Sequence, residues 1–135
     1  MHAAGWIHGA VLPQHLLVNV RDHGVVLAGF SRAARAGEKL RAITRDARAF
    51  YPDDVAAGGP ASTRTDLAMS ARAVLSLLGG DPLRAPARVP PPLARLLETT
   101  AVAPWASEAW ALVEDASNVA RDVFGPPKFV PLSMP

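Results

Sequence analysis

The 135-residue chain contains no cysteine. That excludes disulfides and thiolate metal sites, and it fits a reducing compartment. Aromatic residues are scarce, at 6%, so a core must be assembled from Leu and Val padded with Ala. No run of about 18 apolar residues occurs, so no segment reads as a transmembrane helix. The first residues have no basic stretch ahead of an apolar one, and no secretory signal is expected. Charge excess is also small: 14 basic residues face 12 acidic ones, a formal net charge of +2. That balance gives no general case for nucleic acid, and a cytoplasmic protein without a membrane span is expected.

Hydrophobic residues make up half the chain and charged residues 19%, which predicts a folded domain rather than disorder. Thirteen prolines and ten glycines cut it into short elements. Leu16–Val20 and Val25–Ala28 flank Arg21-Asp22-His23-Gly24 and predict a β-hairpin, with Gly24 at positive φ. Residues 31 to 50 fit a helix or a loop with a short helical turn, ended by Pro52 acting on Tyr51. Leu67, Ala71, Val74, Leu75 and Leu78 form one apolar stripe of a helix capped by Thr65 or Asp66 and stopped by Gly79-Gly80. Prolines 90 to 92 open another helix at Leu93–Leu97. A last helix spans about Ser107 to Phe124, with Trp110, Val113, Ser117, Ala120 and Phe124 expected on its inner face. Gly125-Pro126-Pro127 closes it. The order predicts an α+β fold, mainly helical, with one domain over 1–125 and an extended tail over 126–135.

Four segments in this order resemble the C-terminal lobe of the protein kinase family. Trp6–Leu17 is similar to the catalytic loop, His-Arg-Asp then Leu-Lys-Pro-Glu-Asn then two apolar residues, with His8 and Pro13 matching. Val26-Leu27-Ala28-Gly29-Phe30 resembles the strand that enters Asp-Phe-Gly. Tyr51-Pro52-Asp53-Asp54-Val55 resembles the Ala-Pro-Glu motif, and Ser62–Leu67 resembles the start of the central helix with its Asp. The likeness covers roughly residues 2 to 125. Bacterial serine/threonine kinase-like proteins ending in Gly-Pro-x-x-Phe are similar to Gly125–Phe129.

Phosphoryl transfer is mostly positioning and charge neutralisation, which require carboxylates and hard oxygen ligands for Mg²⁺. The resemblance places Ala10 at the catalytic Asp, Leu12 at the catalytic-loop Lys, His15 at the metal-binding Asn and Gly29 at the metal-binding Asp. All four groups are lost, which implies a pseudokinase that is not an enzyme and holds no cofactor. The family's N-lobe, with its Gly-rich loop and strand Lys, has no counterpart, which implies a truncated lobe. Retained positions are structural: His8 and Phe30 pack together in the family, and Asp66 matches the residue tying down the catalytic loop. Asp54 replaces a Glu that pairs with a distant Arg, here Trp105. A non-catalytic module in protein interaction or regulation follows, with a protein partner.

Two alternatives stay open. Arg32, Arg35, Lys39, Arg41, Arg45 and Arg48, against Glu38 and Asp46 alone, make a basic stretch. It is either a solvated loop or an adaptor surface for phosphate-bearing partners, with Arg41, Arg45 and Arg48 as contacts. The other is residual serine/threonine kinase activity through Asp22 or Asp53. His2, His8, His15 and His23 match no metal-binding spacing, so no metal is expected and His8 reads as a core residue. Trp6, Trp105 and Trp110 read as core or helix anchors. Val11, Leu12 and Leu27 are expected as an uncovered apolar contact patch.

Overall fold

The computed structural model describes residues 1–22, 24–104 and 108–128. Its longest well-buried element is α2 (Thr63–Leu77), and the rest is arranged around it. Thr65, Asp66, Leu67, Ala68, Met69, Ala71, Arg72, Ala73 and Leu75 are all buried, so this helix is covered on nearly every side. The single-stripe expectation is therefore too narrow, and Val74, placed on that stripe, is exposed. The cap is Ser62, not Thr65 or Asp66: Thr65 Oγ1 accepts from Ser62 N at 2.9 Å, and Asp66 lies inside the first turn. At the other end Gly79 takes φ 86°, and Gly79 N and Gly80 N donate to Ser76 O and Leu75 O. This is the glycine-terminated closure expected of the pair.

Two apolar clusters lie along α2. The first joins Ile7, Val11, Leu12, Ala47, Tyr51, Val55 and Met69. The second joins Ala71, Leu75 and Ala101, with Leu97 against it, and brings in α3 (Pro91–Val102), whose Pro91 opens the first turn. Val11 and Leu12 are thus core residues at 5% and 4% exposure, and Leu27 packs half-buried on them. The expected uncovered patch at these three positions does not exist.

Strands are short. β2 (Leu16–Val18) and β3 (Val25–Leu27) form the expected antiparallel hairpin, in register Leu16↔Leu27, Leu17↔Val26 and Val18↔Val25. Its turn is shaped by Asx bonds, Arg21 N to Asn19 Oδ1 at 3.0 Å and Gly24 N to Asp22 Oδ1 at 2.8 Å. Gly24 is not among the glycines at positive φ in the described residues. β1 (Trp6–Ile7) pairs with β4 (Ala34–Arg35). Residues 31 to 50 therefore hold a strand and, at Arg45–Phe50, a 3-10 turn ended by extended Tyr51. The short α1 (Asp53–Ala56) follows. The chain is an α+β fold, about half helical, with small antiparallel sheets.

α4 (Ala109–Phe124) contacts α3 with a face that only partly matches the expected one. Of the expected residues Ala120 is half-buried, as are Leu112, Ala116, Val119 and Val123, whereas Trp110 is 79% exposed and Val113, Ser117 and Phe124 are exposed too. Both sets recur at helical spacing, and the pattern alone favoured the larger side chains. No helix among the described residues is long and apolar enough to cross a membrane.

Candidate functional site

The His8–Leu12 segment is buried throughout, yet it is loop, so its backbone groups need partners. Asp66 supplies them from α2. Its Oδ2 accepts from His8 N at 2.7 Å and its Oδ1 from Gly9 N at 2.8 Å, across 58 and 57 residues of chain. His2 Nε2 donates to the same Oδ2 at 2.9 Å. A carboxylate taking several N–H bonds is the arrangement that makes a buried charge tolerable. Tyr51 O–H donates to Gly9 O at 3.0 Å and satisfies the same residue from the other side. Gly9 favours glycine: its φ is 66°, which strains any other residue, and a Cβ would stand 3.1 Å from the backbone oxygen of Arg32.

His8 is 1% exposed, and both ring nitrogens are used. Nε2 bonds Ala28 O at 2.9 Å, which requires the proton there, and Nδ1 accepts from Ala10 N at 3.2 Å. The ring is therefore neutral, and burial pushes its pKa below 6.5. Phe30 meets it edge-on at 4.7 Å between ring centroids.

Three of the four positions expected to have lost their chemistry, Ala10, His15 and Gly29, fall around one spot. His15 Nδ1 donates to Ala10 O at 2.7 Å, and its ring lies over Gly29, where a Cβ would stand 2.7 Å from Nδ1. Ala10 and Gly29 are thus bridged by one imidazole, and Leu12, next but one to Ala10, is buried in the core. Gly29 itself sits at φ 86°. The spot offers no side-chain oxygen: Ala10 is fully buried, and the His15 ring fills the space between its carbonyl and Gly29.

Other expected positions do not join. Asp54 is exposed and makes no ion pair among the described residues; Trp105 and His23 lie outside them. Trp6 is not core; it is 39% exposed, with the Arg35 guanidinium 4.4 Å from its ring centre. Trp110 is not an anchor either. Asp22 and Asp53 are exposed, and neither bonds to Ala10, His15 or Gly29 among the described residues.

One organising residue escaped the sequence reading. Arg72 is 5% exposed and donates to Ala101 O at 2.8 Å, Ala49 O at 3.0 Å and Tyr51 O at 2.6 Å, tying α2 to α3 and to the 3-10 turn. Burial lowers its pKa, with Asp53 acting in the opposite direction. Its signal was an arginine four residues from Ala68 and three from Leu75, on a face too apolar for a solvated charge. No family model, curated protein or solved structure matches the chain.

Proposed function

We propose that this chain is a protein-kinase-like C-terminal lobe without phosphotransfer chemistry, serving as a non-catalytic module in protein interaction or regulation. The observation that carries the reading is Asp66, on a central helix, holding the backbone of His8 and Gly9 next to Ala10, where the resemblance expects a carboxylate. The His8–Phe30 contact and the meeting of Ala10, His15 and Gly29 support it. These are the places where the resemblance expects a scaffold retained and a site emptied.

The donor set does not fit the hard cation that phosphoryl transfer uses. An imidazole already bonded to Ala10 O and a glycine under it offer no side-chain oxygen. Nothing at this spot would neutralise charge on a transferring group.

The experiment is a gain of binding. His15→Asn with Gly29→Asp removes the ring and supplies two side-chain oxygens where the family holds its metal. The double variant is expected to bind Mn²⁺ by electron paramagnetic resonance, and the native chain is not. A folded double variant that leaves Mn²⁺ free counts against kinase-like geometry. Phosphotransfer from ATP by the native chain, unaltered by Gly29→Asp, would refute the emptied site itself.

A further inference from the structure

The turn Arg45–Phe50 is a 3-10 helix, in which side chains three apart eclipse one another. Arg45 and Arg48 therefore leave it on one side, while Ala47 turns inward and is buried. Both arginines are exposed, and both line a shallow open depression with Ala49, Asp53 and Ala56. Neither pairs with a carboxylate among the described residues. Behind the turn, Arg72 holds Ala49 O and Tyr51 O, so a third guanidinium lies under the same backbone. Charge is also segregated along the chain. Residues 32–48 hold six basic and two acidic side chains, leaving eight basic and ten acidic elsewhere.

We infer that this depression binds a single phosphomonoester on a protein segment, a phosphoserine or phosphothreonine side chain. Two eclipsed planar guanidinium groups suit a dianion with three acceptor oxygens, through paired charge-assisted bonds. A nucleic-acid strand is disfavoured because no aromatic residue lines the depression to stack a base. The net acidic remainder of the chain also opposes a long polyanion. Asp53 stands at the rim as the one opposing charge and holds the affinity down. The inference goes beyond the emptied site and does not depend on it.

The test titrates the whole chain, by fluorescence anisotropy, with a pool of short phosphoserine peptides of randomised flanks and with its unphosphorylated twin. Oligothymidylate is a third probe. The phosphorylated pool is expected to bind at least about tenfold more tightly than its twin, as a charge-assisted pair implies. Arg45→Ala and Arg48→Ala should each lose about that factor. Asp53→Asn should tighten binding about threefold, a gain that misfolding cannot imitate. Equal binding of the two pools, preference for oligothymidylate, or indifference to the Arg45, Arg48 and Asp53 changes overturns the assignment.

Discussion

The loop at His8–Gly9 and the hairpin β2–β3 are neighbours in sequence and opposites in how they are held. His8 N, His8 Nε2, Gly9 N and Gly9 O all have partners from a distant part of the chain: Asp66, Ala28, Asp66 and Tyr51. The hairpin is held by its own ladder and by Ala28 N to His15 O at 2.8 Å, while Leu17, Val18, Val25 and Val26 are 50–62% exposed. Since Leu17↔Val26 and Val18↔Val25 are successive pairs, both faces carry exposed apolar side chains at the turn end, while Leu27 at the other end packs half-buried on the core. Irregular backbone is fixed here by buried electrostatics, and the turn end of the regular backbone is left uncovered.

The largest effect that can break this contrast is at Asp66. Asp66→Ala leaves two buried N–H groups without an acceptor and should cost about 3–5 kcal/mol in urea unfolding. Amide exchange at His8 and Gly9 should rise far more than at Leu17. Equal acceleration at both would mean that the carboxylate does not pin the loop.

Next comes the His15–Gly29 contact. Gly29→Ala forces a methyl group into the His15 ring on a left-handed backbone, and about 2 kcal/mol is expected to be lost. With His15→Ala in the background, the loss should fall to the backbone part alone, about 1 kcal/mol. Additive losses would show the ring to be elsewhere in solution.

A smaller effect is set by pH. Folded His8 binds its proton more weakly than the unfolded chain does, whose value is 6.5. Below that pH the unfolded state takes up more protons, so stability is complete above 6.5 and falls as pH drops beneath it. His8→Gln should flatten this slope in chemical denaturation between pH 7 and the acid side. An unchanged slope would assign the dependence to another group.

The smallest expected change sharpens the contrast from the hairpin side. Val26→Thr should shift stability by no more than about 0.5 kcal/mol, because a side chain this exposed has little burial to lose. Light scattering should report less self-association at high concentration. A loss comparable with that at Asp66 would mean that the hairpin faces are covered in solution.

Legibility in the sequence followed the range of the interaction. The hairpin, the glycine stop at Gly79, the proline start of α3 and the extended Tyr51 before Pro52 are local matters, and all were readable. Asp66 had two readings. The local pattern Ser62–Asp66 made it a candidate helix cap, which Ser62 takes instead. The resemblance expected it to tie down the loop, and its carboxylate does accept from His8 N and Gly9 N. The face of α4 was misread for a related reason: Trp110, Val113 and Phe124 form one apolar stripe, Leu112, Ala116, Val119 and Val123 another. Only the position of α3 selects between them.

The sequence by itself determined where elements begin and end, since φ restriction, capping and side-chain period act within a few residues. It also determined that Ala10 and Gly29 bring no side-chain oxygen. Tertiary structure decided that the His15 ring lies between them, which arginine is buried, and which apolar side chains remain exposed. Those depend on how groups far apart in the chain are brought together, and no local preference encodes that distance.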